Sequence, residues 1–202
     1  AAVSGMDEQV GRVLHALKSY NLDNDTVIVF HSDHGWQLGE HGEWRKNTNF
    51  DLATRVPLII RPPNLPASRQ GARVPALVEL VDLMPTIADF AKIDVEQMVR
   101  GETPLAGKSL VGLVHGLASN VKNSSLSQYP RAPHNISIPY QKNGIDHKNR
   151  SRFFVMGYSL RTSDWRFTEW RPWNGPALVA AWTRMGLYSS ELYAHRGEDT
   201  FP

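Results

Sequence analysis

The sequence has 202 residues, 41% of them hydrophobic, and its 22 Lys and Arg against 20 Asp and Glu give a net charge of +2. At about 150 residues per domain, this length suits one domain or one and a half, with a real core. The charge balance excludes a strongly basic nucleic-acid-binding protein and an acidic disordered tail. No apolar run approaches the ~18 residues of a membrane-spanning helix. The absence of Cys excludes a disulfide scaffold, a thiolate metal site and a Cys nucleophile within these residues.

Four asparagines stand in the N-x-S/T pattern that N-glycosylation requires: Asn24, Asn123, Asn135 and Asn149. They predict surface glycans and a lysosomal or secreted protein, with chance matches in a Ser-rich loop as the alternative. The sequence has neither an initiator Met nor a signal peptide, opens within a helical pattern and stops at Pro202 without a closing element. We therefore expect a fragment of a longer protein.

The first 60 residues predict a helix, a turn and two strands. Apolar side chains at helical spacing indicate a helix over residues 3–17. A turn cluster leads into residues 26–30, whose β-branched and aromatic side chains are typical of a parallel-sheet strand buried on both faces. Residues 56–60 form a second short apolar run, and Pro57 indicates an edge position or the start of a strand. This order is typical of an α/β unit.

The remainder of the chain predicts a helix, a polar connection and a β-hairpin. Asp82 is expected to cap a helix with Pro85 in its first turn. Around a turn at 163–164, two segments with strand character predict an antiparallel hairpin. We divide the chain into part of an α/β domain (residues 1–93), a loop-rich connection (94–152) and a small antiparallel β subdomain, truncated at its end (153–202).

Residues able to carry chemistry are concentrated directly after the first predicted strand. In open α/β sheets, ligands bind beyond the carboxyl ends of the strands. Asp33 and His34 stand at that point and can place a carboxylate and an imidazole on one metal ion. Lys46 can bring a positive charge to an anionic substrate. Taken alone, however, an Asp-His pair in a loop is usually ordinary polar surface.

The whole segment is more specific than this pair. Residues 30–46 read Phe-x-Ser-Asp-His-Gly-Trp-x-Leu-Gly-Glu-His-Gly-Glu-Trp-x-Lys. This string closely resembles the iduronate-2-sulfatase group of the sulfatases, in the alkaline-phosphatase-like superfamily. Further matching segments lie at residues 6–12, 49–58, 78–86, 127–131, 156–162 and 191–193, so the resemblance covers most of the chain. It implies an α/β, alkaline-phosphatase-like sulfatase fold, of which these residues are the C-terminal part.

The resemblance also implies roles for individual residues. Asp33 and His34 occupy the second pair of metal-ligand positions, and Lys46 is the lysine that holds the ester sulfate. The family's nucleophile is a formylglycine made from an upstream Cys, beside a first pair of Asp ligands. These residues lack both, so they contain half a metal site and are expected to be inactive alone. The implied ion is Ca²⁺, whereas a His ligand by itself indicates zinc or manganese.

Three side chains near this segment bear on sugar recognition. Trp36 and His41 are candidates for contact with the sugar, and loop packing is the alternative for Trp36. Asn47 stands where relatives carry an aromatic residue. Recognition of the sugar is therefore expected to differ from that of the relatives at this position.

Three functions remain open from the sequence. The first is a sulfatase that removes the 2-O-sulfate from iduronate residues of heparan or dermatan sulfate, with a sulfated glycosaminoglycan and the N-terminal part of the sulfatase as partners. The second is a phosphodiesterase or phosphonate hydrolase of the same superfamily. The third is a non-catalytic protein that binds sulfated glycans. An upstream Cys-x-Pro-Ser-Arg motif would indicate the first of these.

Overall fold

The computed structural model describes residues 2–95, 104–131, 153–183 and 186–195. Its helices are α1 (Ala2–Ser19), α2 (Asp51–Thr54), α3 (Leu83–Phe90) and α4 (Val111–His115). Its strands are β1 (Ile28–His31), β2 (Gln37–Leu38), β3 (Trp44–Arg45), β4 (Leu58–Arg61), β5 (Ser125–Arg131), β6 (Val155–Arg161), β7 (Trp165–Asn174), β8 (Val179–Ala180) and β9 (Ser189–Ala194). The chain divides into two compact units, one of residues 1–32, 57–76 and 80–121, the other of 33–56, 77–79 and 122–202.

The first unit contains the predicted N-terminal helix and both predicted strands of the first 60 residues. Helix α1 confirms the helix expected over residues 3–17. Strand β4 begins directly after Pro57, as that proline indicated. Within the described residues, no helix combines the length and apolar character that a bilayer crossing requires.

Strand β1 differs from its prediction in pairing and burial. It pairs with β4 in antiparallel fashion, with Val29 opposite Ile60. Three of its residues are half-buried and His31 is exposed, so the expected burial on both faces of a parallel sheet is wrong for this strand. The physical reason is that a short apolar run has the same composition in either kind of sheet. Its partner is chosen by tertiary contacts.

Helix α3 begins where predicted, but its cap is different. Asp82 directly precedes the helix and makes no side-chain capping hydrogen bond. Its Oδ1 instead accepts a hydrogen bond from the backbone N–H of Lys108 at 2.8 Å. Thr86 Oγ1 accepts another from the N–H of Leu110 at 2.9 Å. These buried polar groups therefore hold the segment that leads into α4. Asp82 occupies the predicted N-cap position, but its side chain does not cap the helix.

The second unit is built on a five-stranded antiparallel sheet. Strands β5, β6, β7 and β8 lie in that order, and β9 also pairs with β7. Strands β6 and β7 confirm the predicted hairpin, with Arg161 opposite Arg166 beside its turn. Strand β5 pairs with β6, so this part of the stretch expected to be loop-rich belongs to the sheet. The three-part division of the chain itself stays a prediction.

The two faces of this sheet reverse the usual distribution of side chains. Arg166 and Thr168 are 3% and 0% exposed, whereas Phe167 between them is 37% exposed. The Thr168 hydroxyl donates to Ser159 Oγ at 2.9 Å, so the buried hydroxyl is satisfied. Polar side chains therefore line the inner face of β7, which is the face that receives the loop after Lys46.

The four predicted glycosylation positions fall into two groups. Asn24 and Asn123 are exposed, as attachment of a glycan requires. Asn135 and Asn149 lie outside the described residues.

Candidate active site

Asp33 and His34 lie just beyond the end of β1 in the sequence and within the second unit. Asp33 Oδ2 is 3.3 Å from His34 Nε2. The His34 Nδ1 atom lies 2.9 Å from the carbonyl oxygen of Gly35. Because a carbonyl can only accept, Nδ1 must carry the hydrogen of this bond. With the hydrogen of this bond on Nδ1, Nε2 is the ring nitrogen that would ligate a metal ion.

Lys46 joins this pair from the end of the same loop. Its Nζ is in hydrogen-bond contact with His34 Nε2, twelve residues away in the sequence. As the ammonium group has only donors, it donates to the Nε2 lone pair. The structure thus brings the side chains of Asp33, His34 and Lys46 together at one point.

Asp33 and His34 provide some of the ligands that a divalent cation needs. A carboxylate oxygen and a neutral imidazole nitrogen can share one ion. Within the described parts of the chain, no cluster of three or more His, Asp or Glu side chains is placed to hold a metal. Asp33 and His34 therefore fit as two ligands of a larger set, and both lie at the surface or near it, with side-chain exposures of 79% and 29%.

Gly35 fixes the backbone immediately after His34. Its N–H donates to the carbonyl of Ala53 at 2.8 Å. A Cβ atom at this position would lie 2.0 Å from the carbonyl oxygen of Leu52. Only glycine allows this approach, so the start of the site loop is docked against α2, which begins five residues after Lys46.

The loop after Lys46 is fastened to the inner face of the sheet. Asn49 donates through Nδ2 to the backbone carbonyl of Gly157 at 3.2 Å, and the backbone carbonyl of Asn49 accepts from Arg166 Nη1 at 3.0 Å. Asp51 Oδ2 accepts from Arg161 Nε at 3.0 Å. These bonds explain why the inner face carries polar side chains: they satisfy the backbone of an irregular loop.

Arg166 makes several of the contacts that hold the loop after Lys46 on the sheet. Its guanidinium carbon lies 4.4 Å from the ring centre of Phe50 and 4.5 Å from that of Tyr193. Burial lowers the pKa of the Arg166 guanidinium, and the neighbouring Asp51 carboxylate opposes this shift. The nearby Asp51 and Glu191 carboxylates favour the charged form of the guanidinium, against the effect of burial.

Arg131 holds the loop on both sides of Lys46. Its Nη1 donates to the carbonyl of Asn47 at 3.1 Å, and its Nη2 lies 3.7 Å from Glu43 Oε1. The guanidinium also lies 5.4 Å from the ring centre of Trp170. Arg131 thereby ties the neighbourhood of Lys46 to strand β5.

The two predicted sugar contacts lie in different surroundings. The Trp36 ring centre is 6.4 Å from that of His34, so Trp36 lies beside the site. His41 stacks on Phe50, with ring centres 4.1 Å apart and an interplanar angle of 10°. Their roles in binding stay predictions, and the contact with Phe50 gives His41 a packing role as well.

The arginines that hold the loop after Lys46 were not predicted as part of the site. Arg131 ends the matching segment at residues 127–131, and Arg166 lies in the second strand of the predicted hairpin. Neither position could be joined to the site loop from the sequence, because the contacts span 84 and 117 residues.

Comparison with known proteins identifies the family. The Sulfatase family model matches residues 1–93. Iduronate 2-sulfatase of Homo sapiens is 36% identical over 231 residues, which cover 96% of this chain and 40% of that protein. Arylsulfatase of Clostridium perfringens is 39% identical over 101 residues, half of this chain and 21% of that enzyme. The chain thus spans about 40% of the length of the iduronate 2-sulfatases that it matches.

Solved structures agree with this assignment. A phosphonate monoester hydrolase from Silicibacter pomeroyi superposes with a TM-score of 0.68 at 28% identity, over 95% of this chain and 33% of that one. A protein solved in complex with its substrate D-glucosamine-2-N,6-O-disulfate gives a TM-score of 0.63 at 25% identity, over 87% of this chain and 33% of that one. The fold is that of the alkaline-phosphatase-like sulfatases, and the chain belongs to the sulfatase family.

Proposed function

We propose that this chain forms part of the active site of a sulfatase that removes the 2-O-sulfate from iduronate residues of heparan or dermatan sulfate. The observation that carries the proposal is the convergence of Asp33 Oδ2, His34 Nε2 and Lys46 Nζ. The 36% identity to human iduronate 2-sulfatase supports the choice of substrate. The proposed partner is accordingly a sulfated glycosaminoglycan.

The chemistry of the ester explains why these groups are needed. A sulfate monoester is an anion, so positive charge on its oxygens must precede attack by a nucleophile. Asp33 and His34 would hold Ca²⁺, the ion that the family resemblance implies, which supplies Lewis-acid charge when bound. Lys46 adds a second positive charge at the sulfate. The hydrogen bond from His34 Nδ1 to Gly35 keeps the Nε2 lone pair aimed at the site.

Metal binding is tested directly on residues 1–202 by nuclear magnetic resonance. We expect Mn²⁺ to broaden the ring resonances of His34 and Ca²⁺ to reverse the broadening, because the two ions compete for the same ligands. Asp33→Asn should abolish the effect. The matched control is Asp25→Asn, which removes a carboxylate from an exposed turn. Equal broadening in the Asp33 variant and the unaltered chain would remove Asp33 from the ligand set.

The role of Lys46 requires an assay with the nucleophile present. In a polypeptide that contains residues 1–202 together with a sulfatase formylglycine segment, Lys46→Ala should lower turnover of a fluorogenic iduronide 2-sulfate by about 10²-fold or more, the usual effect of one lost electrostatic contact. Lys18→Ala, at the last turn of α1, is the control. A change below tenfold would argue that Lys46 is only surface charge. Residues 1–202 alone contain no Cys and should give no turnover.

A phosphonate monoester hydrolase is the second candidate. The Silicibacter pomeroyi enzyme of that class covers 95% of this chain at 28% identity, which favours it as the alternative. A phosphonate monoester is also an anion and would use the same positive charges. The same polypeptide is therefore assayed with a phenylphosphonate ester. A preference for that ester over the sulfate would replace the sulfatase assignment.

We also propose a lysosomal or secreted location with glycans at the four sequons. Exposure of Asn24 and Asn123 supports two of them. Expression in a mammalian secretory system, followed by endoglycosidase digestion, should reduce the apparent mass. Asn24→Gln and Asn123→Gln should each remove one step of that reduction. An unchanged mass after digestion would contradict the proposal.

A further inference from the structure

A shallow pocket lies on the two-stranded ribbon formed by β2 and β3. It has a volume of about 560 Å³ and is lined by Trp36, Leu38, Gly42, Glu43, Trp44 and Arg45. Trp36 and Trp44 are 52% and 61% exposed. Exposed indole faces are costly in water and pair well with the C–H face of a flat ligand such as a sugar ring.

The backbone brings Arg45 into this pocket in an unusual way. In the ribbon, Trp44 pairs with Leu38 and Arg45 pairs with Gln37, which is fully buried. Directly opposite residues share a face, so a regular strand would place Arg45 with Gln37, away from Trp44. Arg45 instead has a φ of 73°, a conformation rare for a residue other than glycine. At that φ its side chain lines the same pocket as both tryptophans.

The residues that line the pocket include one cation, Arg45, and one carboxylate, on Glu43. The Glu43 carboxylate lies 3.7 Å from Nη2 of Arg131, which offsets its negative charge. Throughout residues 2–95, 104–131, 153–183 and 186–195, no carboxylate pairs with Arg45. A planar guanidinium in this position is suited to bind a sulfate or carboxylate through two hydrogen bonds.

The pocket adjoins the proposed catalytic groups. Arg45 directly precedes Lys46 in the sequence, and the ring of Trp36 lies 6.4 Å from that of His34. A chain of sugars whose sulfate ester reached Lys46 would therefore place a neighbouring sugar over the two indoles.

We propose that Trp36, Trp44 and Arg45 form a second glycan subsite, which binds the sugar next to the one that carries the scissile sulfate through that sugar's ring face and its anionic group. The inference rests on the proposed function for the identity of the ligand. The anionic group is a sulfate or a uronate carboxylate, since both offer the oxygen pair that a guanidinium binds.

The test is titration of residues 1–202 with a heparan sulfate tetrasaccharide, followed through the indole N–H resonances of Trp36 and Trp44. We expect both resonances to shift, and Arg45→Asn should raise the dissociation constant about tenfold, which corresponds to about 1.4 kcal/mol. Asparagine is chosen because it tolerates a positive φ, so the ribbon keeps its shape. Arg73→Asn removes the same charge from an exposed loop and should bind as the unaltered chain does.

A desulfated tetrasaccharide distinguishes the two anionic groups. If Arg45→Asn no longer changes the dissociation constant of the desulfated ligand, the anionic group is a sulfate. If Arg45→Asn still weakens binding of that ligand, the group is the carboxylate. Equal affinity of Arg45→Asn and the unaltered chain for the sulfated ligand would overturn the subsite. Failure of the proposed function would appear separately, as absence of Mn²⁺ broadening at His34.

Discussion

Two stretches of chain flank Lys46 and differ in what they contact. The ribbon before it, residues 36–45, exposes Trp36 and Trp44 to solvent. The loop after it, through Asn49 and Asp51, is buried against the sheet and bonded to arginines of β6 and β7. The difference shows that Lys46 lies between an anchored stretch of chain and an exposed one, and the exposed one is the ribbon proposed to bind the glycan.

We expect the largest loss of stability from a substitution that releases the loop after Lys46 from the sheet. Replacement of Arg166 by Met keeps the length of the side chain but leaves Asp51 and the carbonyl of Asn49 without this partner. Removal of one member of a buried charged group costs about 3 kcal/mol or more in the free energy of unfolding. Urea unfolding followed by Trp fluorescence measures it. Arg12→Met, on the exposed face of α1, should change stability by less than about 0.5 kcal/mol.

A smaller loss is expected at the other end of the site loop. Gly35→Ala would place a Cβ 2.0 Å from the Leu52 carbonyl oxygen, so the backbone must move. Overpacking of this kind costs about 2–3 kcal/mol. Gly11→Ala makes the same change within α1, where nothing lies within 4 Å, and should stabilise the protein by about 0.5–1 kcal/mol. A Gly35 variant as stable as the parent would mean that the approach to α2 is not needed.

Arg131 tests whether the anchor affects chemistry more than stability. Arg131→Gln removes the charged donor to Asn47 and should lower kcat/KM about tenfold in the nucleophile-containing polypeptide, the equivalent of about 1.5 kcal/mol for one charged hydrogen bond. Arg131→Lys should restore part of the activity, because lysine keeps the positive charge but lacks the planar guanidinium that binds two acceptors at once. The free energy of unfolding should change by less than about 1 kcal/mol. A parallel loss of stability and activity would make Arg131 merely structural.

The smallest effect concerns pH. Burial, followed by the neighbouring Glu191, raises the pKa of the Tyr193 phenol above its ordinary value of 10.0. A raised pKa in the folded state means that the stability contribution is complete below pH 10 and is lost as the pH rises further. Unfolding measured between pH 9 and 11 should therefore show the parent losing stability relative to Tyr193→Phe. Parallel curves for the two proteins would contradict this.

Much of the secondary structure followed from local patterns. Helix α1 and the β6–β7 hairpin were predicted because helical spacing and period-two alternation are properties of neighbouring residues. The alternation of β7 did not reveal that Arg166 and Thr168 face inward. A period shows that two faces exist, and only the loop that packs against β7 decides which one is buried.

The sequence by itself determined the candidate site, since Asp33, His34 and Lys46 belong to the one contiguous segment that resembles the sulfatases. Only the tertiary structure decided that Lys46 meets His34 Nε2 and that Arg131 holds the adjoining loop. The physical reason is distance along the chain. A motif records which groups are available, whereas the bond from Arg131 to Asn47, 84 residues away, exists only once β5 has paired with β6.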